Sequence, residues 1–353
     1  MPLKEMREDM IRITVLMLAA AVAGALSPGV YSQETSSSDK GRYVPEIHGT
    51  VRAKYEYEPE ISKGRFEVRN ARVSVEGKVV PKVSYKAKID LSDEGTIKML
   101  DAYVRYKPVT NVKLTAGQMR VPFTIDAHRS PHTQYFANRS FIAKQVGNVR
   151  DVGVAAAWEV GKEVPVLLEC GVFNGSGLTN QKHFWTGSYN FSLKAQAMLW
   201  REVNLTLSCQ KANAGDARVM MYDAGAYWDN GKWHIEGEYL RKHYVGGVFV
   251  PVSAVDAFAA YKIPFKKWIT ALSVLGRYDY MSDHSNGSMS DDGSLKVSDR
   301  ERHRLTGGLT ISLGKKALQA DVRLNYEQYF YAKGVTPSIS ERSKIVVEFV
   351  AHF

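Results

Sequence analysis

Cysteine is nearly missing from this chain. There are two in 353 residues, Cys170 and Cys209, and no metal-ligand or redox spacing joins them. In the strand register below both fall on the apolar faces of non-adjacent strands, where free thiols behave as small hydrophobes. Nine histidines are present, but none stands in a His-Glu-x-x-His or similar arrangement, so no metal and no cofactor is expected. No Gly-x-Ser-x-Gly turn occurs, so no catalytic residue is assigned. Long apolar runs are absent too. Beyond the N-terminus no window approaches the roughly eighteen consecutive apolar residues of a membrane helix.

The N-terminus carries the one apolar run there is. Lys4, Arg7 and Arg12 precede Ile13–Leu26, and small residues follow to Ser32. A basic start, an apolar centre and a small-residue cleavage region make residues 1–33 a secretory signal peptide of the Sec type. Met10 is an alternative start. Residues 1–33 hold three basic and three acidic residues, so the mature chain keeps the net charge of +10. Residues 34–45, polar and serine-rich, read as a flexible lead-in.

From residue 46 the dominant signal is alternation. Ile47, Gly49, Val51, Ala53 and Tyr55 alternate with His48, Thr50, Arg52, Lys54 and Glu56. Successive side chains of a strand point to opposite faces, so each such run has one apolar and one polar surface. The next run, Phe66–Val79, slips phase near Arg69–Asn70, as a bulge would make it do. Sixteen runs follow this rule down to Ile345–Phe353, among them Met220–Trp228, Trp233–Tyr239, Val255–Ile263, Leu272–Tyr280 and Leu318–Tyr326. Asp229-Asn230-Gly231 between two of them is a hairpin turn. Connections after even-numbered runs are short, and those after odd-numbered runs are mostly longer. An even strand count with short periplasmic turns and longer outer loops is the pattern of a bacterial outer-membrane barrel. The predicted fold is all-β: a sixteen-stranded antiparallel transmembrane β-barrel over residues 46–353. A β-sandwich or secreted β-rich enzyme is the soluble alternative.

The alternation stops once, between Gly117 and Gly153. An interruption of about thirty residues in a compact domain is usually functional. Between Gln118 and Arg150 it carries Arg120, Arg129, Arg139, Lys144 and Arg150 against Asp126 alone. It also carries Val121, Phe123, Tyr135, Phe136, Phe141 and Ile142, apolar anchors that could hold it against the inside wall. The polar faces of the first five strands hold ten cations and four anions, whereas later strands hold mostly acids against few cations. One basic wall of the lumen is therefore expected.

Several segments together resemble the phosphate-selective porin O and P family. They are VRNARVSVEGKV (68–79), GQMRVPFTIDAHRS (117–130), ANRSF (137–141), RDVGV (150–154), LECGVFNGSG (168–177), LGRYDYMSD (275–283) and the closing VVEFVAHF. The resemblance implies a trimeric sixteen-stranded porin whose third loop folds into the lumen. It implies that arginines and lysines draw anions through, and that Phe353 is the signal read by the outer-membrane assembly machinery. One departure is visible: Arg69 keeps the first of two arginines often paired in the family, and Asn70 stands at the second. The expected constriction is Arg69, Arg72, Arg120, Arg129 and Arg139. Lys54, Lys82, Lys86 and Lys88 form the approach, and Arg52, Arg105, Lys144 and Arg150 complete the anion-binding set. The expected function is passive, anion-favouring diffusion of small solutes such as phosphate or polyphosphate across the outer membrane. A general non-selective porin and a barrel-fold enzyme remain as alternatives. The partners are small anions, membrane lipid and identical subunits. Nucleic acid is not among them, because export and a basic interior account for the charge.

Overall fold

The computed structural model describes residues 43–147, 150–178, 181–215, 217–315 and 318–353. The expected signal peptide and all but the end of the lead-in lie outside the described residues. Sixteen strands follow: β1 (Glu46–Glu58), β2 (Lys63–Val80), β3 (Val83–Asp93), β4 (Thr96–Tyr106), β5 (Val112–Arg120), β6 (Arg150–Val160), β7 (Val166–Phe173) and β8 (Asn190–Leu199). Then come β9 (Val203–Ala214), β10 (Ala217–Asp229), β11 (Trp233–Tyr244), β12 (Val252–Pro264), β13 (Ile269–Met281), β14 (Arg302–Lys315), β15 (Leu318–Tyr331) and β16 (Lys344–His352). Each pairs antiparallel with its neighbours in sequence, and β1 pairs with β16, so the sheet closes into a barrel. The soluble sandwich is excluded by that closure.

The alternation of the sequence becomes inside and outside. In β1, Arg52, Lys54 and Glu56 are buried while Val51, next to Arg52 and in the opposite phase, is half exposed. Phe66, Val104, Leu114, Leu207, Leu309 and Phe349 likewise stand exposed on the outer surface. An apolar outer belt around a polar interior is what a barrel in lipid requires. Of the six tryptophans, Trp158, Trp200, Trp228, Trp233 and Trp268 lie at or next to the short turns. That concentration marks one membrane–water boundary.

Local chemistry sets the register. Arg52 pairs with Asn70 and Ala53 with Val68, leaving Arg69 as the extra residue of a bulge where the phase slips. At the β10–β11 turn Gly231 takes φ +83°, and Asp229 Oδ1 accepts its N–H at 2.7 Å. At the seam, Gly49 and Phe353 exchange both backbone hydrogen bonds, at 2.9 and 3.1 Å. The Phe353 ring lies over Gly49, where a Cβ would come within 2.2 Å of it. Cys170 on β7 and Cys209 on β9 are free and lie on non-adjacent strands.

The pore interior and its two walls

The chain leaves β5 at Arg120 and re-enters the sheet at Arg150. Close to the exit, Gly117 adopts φ +127°, and a Cβ there would sit 2.3 Å from the Ala102 carbonyl. Only glycine tolerates both. The segment is not structureless. It makes 3-10 turns at Asp126–His128 and Pro131–Thr133 and a π-type turn at Ile142–Gly147. Its apolar residues are buried: Phe123, Phe141 and Ile142 pack with Val219, Met221, Leu240 and Met281. Phe136 packs with Phe258 and Leu275, and Val121 with Met119 and Phe173.

Its polar contacts go mostly to one side of the barrel. Glu236 on β11 takes the Arg129 guanidinium through both oxygens. Asp279 on β13 accepts the Phe141 N–H at 3.2 Å, and Glu327 on β15 accepts the Asn138 amide at 3.0 Å. Inward arginines in turn donate to loop carbonyls. Arg52 reaches Ala137 O at 2.8 Å, Arg277 reaches Asn138 O at 3.0 Å, Arg304 reaches Arg139 O at 2.7 Å, and Arg323 reaches His132 O at 3.1 Å. Lys194 on β8 donates to Thr124 O at 2.5 Å. Hydrogen bonds to charged groups contribute about 1.5–3 kcal/mol each, so the set holds the loop far more firmly than its turns could. Among the acids of the later strands, Glu236, Asp279 and Glu327 are therefore loop anchors. The expectation of few cations there is corrected: Lys194, Lys242, Arg277, Arg302, Arg304, Arg323 and Lys344 are all buried. They sit in phase with the acids, so the alternation alone could have revealed them.

Beside β3–β6 the loop leaves a polar cavity of about 320 Å3. Its charged lining is Lys86, Lys88, Arg105, Lys113, Arg120 and Arg150, against Asp101 and Glu169. Three of the cations are paired: Lys86 with Glu76, Lys113 with Glu159, and Arg150 with Asp101 at 2.8 Å. The other three have no carboxylate within ion-pair distance among the described residues. Arg105 bonds the Thr115 hydroxyl at 3.1 Å, and Arg120 Nη1 reaches only the Arg129 carbonyl at 3.5 Å. Arg120 Nε is buried without a partner.

Of the thirteen predicted residues, the structure thus brings Lys86, Lys88, Arg105, Arg120 and Arg150 to one cavity. Arg72, tied to Asp90 at 2.7 Å, and Arg139 lie within electrostatic range of Arg120. Arg139 donates to the Asp126, Ala127 and Arg129 carbonyls. Burial lowers its pKa to about 10, Asp126 opposing, and it stays charged. Elsewhere, Arg129 is spent on Glu236, and Arg52 on Glu348 and Gln134. Lys54 pairs with Glu56 and Glu67, and Arg69 lies 3.7 Å from Glu67. Lys144 pairs with Glu341 at 2.9 Å. Lys82 sits at an exposed turn and donates to Pro108 O. Asn70, at the departure noted above, donates to Asp90 at 3.0 Å.

Titratable groups of the loop follow their surroundings. Burial alone would raise the Asp126 carboxyl, but Arg129, Arg139 and Arg277 hold it below the usual carboxylate range. Burial, helped by Lys194 and Arg120, pushes the His128 imidazole well below its ordinary value. His132, stacked on His352 with ring centroids 4.3 Å apart, is lowered to about 4 by burial and then by that neighbour. The His128 and His132 rings are neutral at pH 7. Glu236, Glu238 and Asp256 converge closely enough to share a cation; the loop's Arg129 already occupies Glu236.

Residues 46–193 match the sequence profile of the phosphate-selective porin O and P family, the family read from the sequence motifs. No curated protein matches the chain by sequence. Solved porin-like structures do match by shape. A loop L8 deletion mutant of OmpT, an outer membrane protein of Vibrio cholerae, aligns at TM-score 0.60 and 10% identity, over 88% of this chain and 99% of that one. The outer membrane channel DcaP of Acinetobacter baumannii aligns at 0.59 and 13%, over 89% and 98%. An anion-selective porin from Comamonas acidovorans aligns at 0.57 and 11%, over 87% and 98%. At these identities the likeness establishes the fold, and the fold is that of an outer-membrane porin.

Proposed function

We propose, on the premise of that family match and that fold, a passive channel in the outer membrane of a Gram-negative bacterium that favours small anions. Phosphate-like solutes are its best substrates. The observation that carries this is the cavity beside β3–β6, where Lys88, Arg105 and Arg120 converge without carboxylate partners among the described residues. Low-dielectric walls focus the field of such a cluster and raise the local concentration of the opposite ion. Planar guanidinium groups match phosphate or carboxylate oxygens, and the lysine acts as a mobile point charge. Paired neighbours keep the site from binding too tightly. Asp101 tempers Arg150 and Glu76 tempers Lys86, so an anion that enters can also leave, as conduction requires. Nothing in this scheme needs bond chemistry or a cofactor.

The exported chain would assemble as a homotrimer, with Phe353 presented to the assembly machinery; deleting Phe353 should lower the outer-membrane yield. The central test is the reversal potential of single channels in a potassium chloride gradient. Wild type should prefer chloride, and Arg120→Glu with Lys88→Glu should move the potential toward cations. A wild-type channel that already prefers potassium would refute the proposal and leave a general porin in its place.

A further inference from the structure

The outer face of β6–β11 is neither flat nor evenly apolar. Two adjacent cross-strand rows form it. One runs Trp158, Leu168, Ala195, Leu207, Ala224, Tyr239, and the other Ala156, Cys170, Leu193, Cys209, Tyr222, Arg241. Alanines stand among large side chains, and the result is an open apolar concavity of about 900 Å3. It crosses six strands, or five intervals of about 4.8 Å each. That is broad enough for several acyl chains side by side.

Basic side chains lie just beyond it, toward the long loops. Arg241 closes the second row. The next row places Lys211 and His243 on either side of Met220, and Arg218 follows at the end of β10. All four face outward, because Ala212, Val219, Leu240 and Tyr244 in the opposite phase are buried. Arg241 donates to the Ser253 hydroxyl at 2.5 Å, and Lys211 to the Ser188 hydroxyl at 3.0 Å. Among the described residues no carboxylate pairs with Lys211, Arg218 or Arg241. The long loops mark the external side. Lys211 and Arg241 each stand three residues before the end of their strand, about 10 Å at the rise of a strand. That depth is where lipid headgroups meet acyl chains.

From this juxtaposition we propose that the outer face of β6–β11 is a seat for a phosphorylated, multiply acylated glycolipid of the outer leaflet. Its phosphate is held by Lys211, Arg218 and Arg241, and its chains lie in the concavity. Unpaired cations at headgroup depth attract an anionic lipid. Guanidinium groups select a phosphate over a neutral sugar. The breadth of the concavity favours a lipid with more than two chains. This seat is separate from the lumen and does not depend on what permeates.

The test is native mass spectrometry of the purified full-length mature protein, titrated with monophosphoryl lipid A, its fully dephosphorylated form, and phosphatidylglycerol. Wild type should retain the phosphorylated glycolipid about tenfold better than either of the others, a difference of one decade in affinity. Lys211→Ala, Arg218→Ala and Arg241→Ala together should remove that preference while single-channel conductance stays unchanged. Should the triple variant fail to fold, Arg241→Gln alone is read against the same lipids and should weaken retention of the phosphorylated one only. Equal retention of all three lipids, or a preference that survives the substitutions, overturns the proposal. So does a change in subunit number with no change in bound lipid, which would make this face a contact between copies of the chain.

Discussion

Arg120 and Arg150 are direct register partners across the β5–β6 ladder. Like charges placed opposite one another destabilise a sheet. Here Asp101 neutralises Arg150 at 2.8 Å, and Arg120 is left to face the cavity. The two ends of the inserted loop are thus pinned beside a charge that the barrel itself does not compensate. An anion in transit would supply the missing partner.

That relationship separates stability from selectivity. Arg120→Gln should leave the barrel equally stable or more stable by about 0.5 kcal/mol, while anion preference falls. Asp101→Asn should do the reverse. It frees Arg150, strengthens anion preference and costs about 3 kcal/mol for a broken buried pair. Denaturant midpoints and reversal potentials measured on both variants decide the matter, and parallel changes in the two quantities would contradict it.

Arg304 ties β14 to Asp279 at 3.0 Å and to the loop at Arg139 O. Arg304→Met leaves Asp279 with one cation fewer and the loop with one anchor fewer. A cost of about 3–5 kcal/mol is expected, together with higher and noisier single-channel conductance. A quiet channel of wild-type conductance would show that the loop is held without this residue.

Gly225 lies on the inward face of β10, and a Cβ there would come within 2.6 Å of Ile125 Cδ1. Gly225→Val should displace the loop at Ile125 and cost about 1–3 kcal/mol by overpacking. Ile125→Ala in the same chain should recover most of that cost. A double-mutant cycle reads the coupling, and strict additivity would falsify the contact.

The loop histidines predict an acid response. Burial keeps His128 and His132 neutral in the folded loop, with His132 lowered to about 4. Their folded-state values lie below the ordinary value near 6.5. The unfolded or released loop therefore binds more protons, and stability falls as pH drops from about 6.5 toward 4. Above that window the contribution is fully present. His132 sits among His352, Lys88, Arg323 and Asp321, so protonation adds a positive charge to a mostly cationic surround. Channel closures recorded between pH 7 and pH 4 should become more frequent at the acid end, and His128→Gln with His132→Gln should flatten the profile.

The number and order of the strands were legible because lipid on one side and a polar interior on the other impose a period of two. The outer ends of several strands were not. β10 begins at Ala217 where alternation suggests Met220, β11 runs to Tyr244 beyond Tyr239, and β12 starts at Val252 before Val255. In each case the inward residues near that end, Val219, Leu240 and Ala254 among them, are apolar because Phe123, Phe141 and Ile142 pack on them. Arg218, Arg241, His243 and Ser253 face outward there, so the apolar residues change from the outer face to the inner one and the expected alternation breaks off. The basic character of the cavity was readable as charge. Which cations remain free was not, because their partners are remote: Arg129 finds Glu236 and Arg52 finds Glu348. Only closure of the barrel brings those pairs together. Arg277, Arg304 and Arg323 are inward by phase, but the loop carbonyls they hold lie more than a hundred residues away in the chain.

The Gly49–Phe353 seam also constrains how the molecule can be made. Fifteen of the sixteen ladders join strands consecutive in the chain, and only β1–β16 joins its two ends. Hairpins can therefore form in any order as synthesis proceeds, each from local contacts that are quick to find. The last ladder must wait for the final residue. Until then β1 and β16 are two open edges, each able to recruit a strand from another molecule. The hazard lasts as long as the wait, and a chain truncated by even one strand would carry it permanently.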